Sequence, residues 1–339
     1  MASQRVTIKD VAREAGVSIS TVSNALNDVD VLHPDTKRHI LSVAEKLHYV
    51  PNLNGRNLKS QATNVIGLFI TSIRGAYYSV LADSVYQRCK EYGYELNIFV
   101  SDKTGTMMSD MLGRRIDGAI ILNEWIKEEQ VNQLLENELP IVFIDREMRG
   151  ENVSSVVFDS YHEGELAARY LMKLGHKTFG YIYGVENNFD NLQRLKGFLN
   201  ILRQADIVVP EEYMLRGDFD KDTAYNSMKK FLQSGKKPPE AIFAANDQSA
   251  IGAIEALAEE GIGVPEQVSV MGCDDIEMAS LVKPSITTIR TSFEKQGILA
   301  VNHLVSLIKK EEKGTIDVLY GKVISRESTA VNQSKVNIS

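Results

Sequence analysis

From Val65 to Asp275 the chain repeats one pattern, a short apolar run followed by a helical stretch. VIGLFI (65–70), YELNIFV (94–100), DGAIIL (117–122) and PIVFID (140–145) form a first series. SVVF near Ser154, FGYIYG (179–184), AIFAAN (241–246) and VSVMGCDD (268–275) form a second. Helical stretches are expected at about 77–92, 160–174, 190–204 and 248–260. Runs this short, apolar on both faces and separated by helices, are strands of parallel sheets covered on both sides. Two series predict two doubly wound parallel-sheet subdomains. A last helix, Phe293–Lys310, and the strand-like YGKVIS (320–325) return the chain between them.

The first sixty residues have a different texture. Thr7 to Asn27, TIKDVAREAGVSISTVSNALN, predicts two short helices and a tight turn. Thr7 can cap the first helix, with Asp10 three residues on. Ile8, Val11, Ala12 and Ala15 share its inward face, and Gly16 allows the positive φ of the turn. Ser18 can cap the second helix, whose Val22, Ala25 and Leu26 point inward. Ile19, Ser20, Thr21, Ser23 and Asn24 are left facing out, the arrangement of a helix-turn-helix; an ordinary helical hairpin is the bland alternative. His33-Pro34 opens a third helix with a stripe of Ile40, Leu41, Val43, Ala44 and Leu47. After Val50 the polar segment NLNGRNLKSQ (52–61) is too poor in apolar groups to fold alone.

Composition excludes several classes. There is no apolar run of bilayer length and no N-terminal export signal, so a cytoplasmic protein without membrane contact is expected. Cys89 and Cys273 lie in apolar-periodic segments and read as buried free thiols. The net charge of −7 is unevenly divided. Residues 1–60 carry eight Lys/Arg and six Asp/Glu, for +2, leaving −9 for the rest. A mildly basic head on an acidic body suits a DNA-binding module attached to one that does not bind DNA. No phosphate-cradling glycine loop, nucleophile motif or metal-ligand spacing appears, so no enzyme, cofactor or metal is expected.

Ligands of open α/β sheets bind at the carboxyl ends of the strands. Polar residues end several here: Asp145, Asn246-Asp247 and Asp274-Asp275, with Arg194 on the helix after FGYIYG. Carboxylates, an amide and a guanidinium beside an aromatic face suit neighbouring hydroxyl groups, each of which donates and accepts. The plainer readings are helix caps for the Asp and Asn residues, Asp247 and Asp275 above all, a surface ion pair for Arg194, and core packing for Phe158 and Phe219.

Taken together, these segments resemble the LacI/GalR family of bacterial transcription regulators. The resemblance rests on TIKDVAREAGVSISTVSNALN, YVPN (49–52), GRNLKS (55–60), RRIDGAIIL (114–122), LMKLGH (171–176), AANDQSAIGAIEAL (244–257) and VMGCDDIEMASLVKPSITTI (270–289). It implies a multidomain chain: a helix-turn-helix head (1–50), a hinge helix (51–61) and a periplasmic-binding-protein-like core (62–333). Within that core the N-subdomain would span about 62–156 and 290–319, and the C-subdomain about 157–289 and 320–333.

The resemblance further implies a homodimer on a near-palindromic operator in double-stranded DNA, one head per half-site. Ile19, Ser20 and Asn24 would face base edges, and Ser18, Thr21 and Asn27 would hold phosphates. Thr7, Tyr49, Asn52 and Arg56 complete the DNA-facing set, with Leu58 wedged into the minor groove. The family's usual Arg stands as Asn24 here, which suits adenine better than guanine. Its usual capping hydroxyl is His33, and Gly55 replaces an Ala, at a cost of about 0.5–1 kcal/mol in a helix. The carried-over effector set is Tyr78, Asp145, Phe158, Arg194, Phe219, Asn246 and Asp274, for a sugar or sugar-phosphate.

Two departures bear on that pocket: TSIRGAYYS replaces the usual first loop, and segment 101–115 is short, so its helix is expected to be truncated or recast. The implied function is a transcriptional repressor of carbohydrate-utilisation genes, its operator affinity set by the effector. The rivals are a regulator answering to a partner protein and a sugar receptor without DNA function.

Overall fold

A computed structural model describes residues 6–27, 29, 31–49, 62–113, 115–144 and 146–332. Asp145, Asn52, Arg56 and Leu58 lie outside the described residues, as does most of the expected hinge. The chain divides into two compact units, residues 1–63 and 64–339.

Among its described residues the first unit holds three helices: α1 (Ile8–Ala15), α2 (Ile19–Leu26) and α3 (Pro34–Lys46). At its start, the Asp10 carboxylate accepts from both the Thr7 backbone N–H (3.0 Å) and the Thr7 hydroxyl (2.7 Å). Gly16 takes the left-handed conformation that ends α1, φ 66°. The Ser18 hydroxyl caps α2 by accepting from the N–H of Thr21 at 3.1 Å. Val11, Val22 and Ile40 are fully enclosed and tie the three helices into one core. Leu41, expected inside, is exposed: α3 presents Ile40, Val43 and Ala44 inward, and Leu41 falls off that stripe. His33 serves as the cap of α3, its Nδ1 accepting from the Asp35 N–H at 3.4 Å.

The second unit contains two parallel sheets. In the first, six strands run in the order β11 (Ile316–Leu319), β5 (Val153–Phe158), β4 (Ile141–Phe143), β3 (Gly118–Leu122), β1 (Val65–Ile70), β2 (Glu95–Val100). The second has β7 (Met214–Arg216), β6 (Phe179–Tyr183), β8 (Ala241–Ala244) and β9 (Ser269–Met271). Alternate residues on each strand feed opposite layers, as the strand's two-residue period requires. Ile66, Leu68 and Ile70 pack toward helices Ala76–Glu91 and Phe293–Ile308. Phe69, on the other face, packs with Met107, Met111 and Leu134 of helices Thr104–Leu112 and Glu128–Glu136. The short segment 101–115 therefore keeps a helix of nine residues.

The second sheet repeats the scheme. Helices Lys221–Gln233 and Asp247–Glu259 cover the face of Ile182, Ile242 and Val270. Ser160–Lys173 and Phe189–Gln204 cover the face of Tyr181 and Phe243. The sequence pattern does not single out β7, β11 or helix Lys221–Gln233; β7 is only MLR and the apolar run of β11 is broken by Asp317.

The chain crosses between the two lobes three times. It leaves β5 at Phe158 and enters helix Ser160–Lys173; it leaves β10 (Thr288–Arg290) for helix Phe293–Ile308; it passes from β11 to β12 (Lys322–Ile324). β5 runs two residues past the expected boundary at 156, so Phe158 belongs to the first sheet. β10 and β12 pair antiparallel beside β9. Both cysteines are buried and free. No described helix is long and apolar enough to cross a membrane.

Candidate functional site

Two surfaces carry the sequence-predicted residues. On the head, Ser18, Ile19 and Ser20 are exposed, Ile19 at 45%, while Thr21, Asn24 and Asn27 are half-buried along the same helix. The Ser18 hydroxyl lies 2.7 Å from those of Ser20 and Thr21, and Asn27 donates to the Ser23 hydroxyl at 3.3 Å. An apolar residue held out in water on a short helix with a buried rear is the feature of a groove-reading helix. Thr7 is exposed at the amino end of α1, where backbone N–H groups favour an anion. Tyr49 is half-buried against the head core.

The second surface lies where the carboxyl ends of the first sheet's strands turn toward the second lobe. Ala76, following β1, packs against the apolar cluster of the second lobe. The Asp220 carboxyl is held below its usual range by the N–H and hydroxyl of Thr223, and Arg74 of the first lobe adds to the effect. Tyr78 stands half-buried in the first turn of helix Ala76–Glu91, its hydroxyl 3.4 Å from that of Thr71. Burial pushes its phenol upward. Gln296, completely buried, ties the strands beneath by donating to the carbonyls of Ile144 (3.2 Å) and Val156 (2.9 Å).

In the second lobe Arg194 is 4% exposed, so a surface ion pair is ruled out. Its Nε and Nη2 donate to one oxygen of Glu163, at 3.1 and 2.7 Å. Its Nη1 donates to the Ala245 carbonyl at the end of β8, at 3.1 Å. Glu163 is wholly enclosed, and its other oxygen, Oε1, is buried without a hydrogen-bond partner. Burial raises the Glu163 carboxyl above its usual range and the guanidinium pulls it back only in part. Sequence reasoning missed Glu163, although it occupies an apolar-stripe position of its helix, with Ser160, Gly164, Ala167 and Leu171.

Asn246 and its neighbours correct two assignments. The Asn246 amide is engaged at both atoms: its oxygen caps helix Asp247–Glu259 through the Ser249 N–H (2.9 Å), and its nitrogen donates to the Phe219 carbonyl (3.0 Å). The cap is thus Asn246 and not Asp247. Asp247 is a buried brace accepting from the Thr288 hydroxyl (2.6 Å) and the Ile276 N–H (2.9 Å). Asp275 is no cap either, because Arg290 and Arg326 clasp its two oxygens. Burial works against the Asp275 charge, yet the two guanidinium groups outweigh it and hold its carboxyl low.

Asp274 is half-buried, with φ 115°, and is pushed well up by burial and by the Asp247 carboxylate. Phe158 is corrected from wall to core: it is buried in the first lobe with its edge toward Phe293, ring centroids 5.9 Å apart. Phe219 keeps a half-buried ring laid over Gly184, where a Cβ would come within 2.3 Å of it.

The second lobe therefore brings Arg194, Phe219, Asn246 and Asp274 to the ends of β6, β8 and β9, with Tyr78 on the first lobe. Among the described residues no group of His, Cys, Asp and Glu could hold a metal.

Burial raises the Asp247 carboxyl to about 7 from an ordinary 3.8. The folded state then holds this proton more tightly than the unfolded chain, so the stability it contributes falls as pH rises from about 4 to about 7. In urea unfolding, the midpoint is expected to drop between pH 5 and pH 8. In Asp247→Asn that drop should shrink; an unchanged pH profile would show that Asp247 is not its source.

Residues 7–52 match the model of bacterial regulatory proteins, lacI family, and residues 168–329 that of a periplasmic binding protein-like domain. The chain is 33% identical over 310 residues to the probable HTH-type transcriptional repressor ExuR of Bacillus subtilis, covering 91% of this chain and 93% of that one. It is 34% identical over 330 residues to the repressor PurR of Photorhabdus laumondii, covering 95% and 96%. A lac repressor dimer bound to operator and the anti-inducer ONPF superposes with a TM-score of 0.77 at 26% identity, over 96% of this chain and all of that one. The complex of the regulator CelR with cellobiose gives 0.71, also at 26% identity and with the same coverage. The chain belongs to the lacI family of bacterial regulatory proteins and is a DNA-binding transcriptional repressor with an effector-binding core.

Proposed function

We propose that the head reads its operator through Ile19, Ser20 and Asn24, with Ser18, Thr21 and Asn27 on phosphates, and that a sugar or sugar-derived effector in the cleft sets operator affinity. Two copies act together, each head on one half of a near-palindromic site. The observation that supports the effector reading is that Arg194 and Asp274 lie together at the strand ends of the second lobe, with Phe219 beside them over Gly184, while Tyr78 follows Ala76, which packs against that lobe. Guanidinium and carboxyl groups can bind the rim of hydroxyls on a sugar while the rings take its apolar face. The effector shifts the DNA-binding equilibrium only by its different affinities for the two states of the core.

Carbohydrate-utilisation genes are the proposed targets, and the proposed compartment is the cytoplasm, where operator DNA lies. The repressors of this family are not enzymes, and no turnover of the sugar is proposed. Selection of bound duplexes from random DNA, with and without a panel of sugars, tests the reading. A palindromic consensus whose recovery changes with one sugar supports it; no enriched sequence under either condition sinks it.

Leu58→Ala is expected to weaken operator binding by roughly tenfold or more, since a minor-groove wedge trades unstacking for a bent duplex with more protein contact. Sugar affinity should not move. Equal operator affinity in a filter-binding titration would remove Leu58 from the wedge role.

A further inference from the structure

We propose that Asp247 is a positioning residue for effector binding, acting through Asp274 by fixing the loop that carries it. The inference rests on the effector reading above, in which Asp274 meets the ligand.

Asp247 is wholly enclosed at the start of its helix, so it is closed off from a ligand in the cleft. The loop after β9, residues 272–276, is instead fastened to it. The Asp247 N–H donates to the Cys273 carbonyl at 2.7 Å, and Oδ2 accepts from the Ile276 N–H at 2.9 Å. The loop backbone also lies directly against the carboxyl group, since a Cβ on Gly272 would fall 2.2 Å from Oδ1. That Oδ1 accepts from the Thr288 hydroxyl at 2.6 Å, which joins the loop to β10, the strand that leads into the other lobe.

Asp274 sits between the anchors at Cys273 and Ile276. Its N–H donates to the Ile289 carbonyl at 2.8 Å, and its carbonyl accepts from the Thr291 hydroxyl at 3.3 Å. Asp274 and Asp275 both take a positive φ, 115° and 60°. Two successive residues with side chains hold such a backbone only where their surroundings over-determine it, and strain of this kind gathers at ligand clamps. Asp247 supplies bonds on both sides of the strained pair.

The same contact has an electrostatic side. Burial pushes the Asp274 carboxyl up, and the Asp247 charge adds to that push, as do those of Glu163 and Asp190; Arg194 opposes them. Interacting buried carboxyls titrate as a pair, one keeping its proton while the other is charged. An ionised Asp274 is the stronger acceptor for a sugar hydroxyl, so sugar affinity should rise as pH climbs through the range in which the pair loses its protons.

The full-length protein is titrated calorimetrically with glucose, galactose, xylose and cellobiose, from about pH 5 to about pH 8. Asp247→Asn keeps an oxygen for the Ile276 N–H and an amide for the Thr288 hydroxyl but carries no charge. Its rise in affinity is expected about one pH unit below that of the parent, with affinity at the upper end within about threefold. Asp247→Ala and Thr288→Val, which free the loop from its anchor or from β10, should weaken the sugar roughly three- to tenfold. A loop of purely structural importance would lose affinity equally at every pH, with the midpoint where the parent has it. That outcome, a parent affinity indifferent to pH, or full affinity in both Asp247→Ala and Thr288→Val would overturn this proposal alone. Should Asp247→Ala fail to fold, Thr288→Val and the Asp247→Asn profile decide. Absence of binding heat for all four sugars, together with a sugar-independent DNA selection, would overturn the effector reading and this inference with it.

Discussion

Arg194→Met is expected to lower the unfolding temperature of the core by on the order of 10 °C. The substitution removes the one guanidinium bonded to Glu163 and leaves a carboxylate that is fully enclosed, with one oxygen already unpartnered. Breaking a buried pair from one side costs about 3–5 kcal/mol. For a unit of this size each kcal/mol moves the midpoint by roughly 2–4 °C. The loss should be smaller at pH 5 than at pH 8, because an orphaned buried carboxyl is relieved by taking up a proton. Glu163→Gln in the same chain removes the stranded charge, so the double variant should recover much of the stability. Thermal unfolding followed by circular dichroism separates these outcomes. If the single variant melts with the double at both pH values, the pair does not hold the two helices as described.

The same pair shows what the sequence displays and what it hides. Strand series and helix-turn-helix are legible because each rests on a local period: alternate residues of VIGLFI feed opposite layers, and Val11, Ala12 and Ala15 recur at helical spacing on α1, as Ile40, Val43 and Ala44 do on α3. The polar strand ends are legible as a group by the rule that ligands sit at carboxyl ends. Their individual duties are not. Asn246 and Asp247 are adjacent in sequence, yet one caps its helix and the other braces Thr288, forty-one residues away. Only the fold decides which of two neighbouring carboxyl or amide groups reaches which partner. Phe158 illustrates the same limit, since an aromatic residue ending a strand can face ligand or core, and Phe293 in another element settles it.

Glu163 does leave a trace. It lies on a stripe otherwise made of Ser160, Gly164, Ala167, Ala168 and Leu171, while Arg194 lies on one made of Asn191, Gly197, Phe198 and Ile201. Two opposite charges, each on the inward stripe of successive helices, are a signal of a buried pair that helical spacing alone carries.

Gly197→Ala should cost the core about 1–2 kcal/mol, whereas the chemically identical change Gly105→Ala should stabilise it slightly. Helices Ser160–Lys173 and Phe189–Gln204 meet at glycines from both sides. A Cβ on Gly164 would fall 2.0 Å from the Arg194 carbonyl oxygen, and one on Gly197 would fall 1.9 Å from that of Tyr161. Both obstacles are backbone, so no side chain can rotate away and the helices must separate. Overpacking of this kind costs roughly 1–3 kcal/mol, occasionally more, and the better helix propensity of alanine, about 1 kcal/mol, offsets only part of it.

Separation also pulls the helix that carries Arg194 away from the helix that carries Glu163, so the cost should fall partly on that pair. Gly197→Ala in the Arg194→Met, Glu163→Gln background should therefore cost less than in the parent chain, a departure from additivity expected of coupled sites. Gly105, by contrast, has nothing within 4 Å of where its Cβ would be. There alanine only restricts the unfolded chain and favours the helix, a gain of about 0.5–1 kcal/mol. Urea midpoints of the two single variants and the triple variant decide the matter. Equal stability of Gly197→Ala and the parent would mean that the helices do not touch through their backbones, and the support for Arg194 would have to be sought elsewhere.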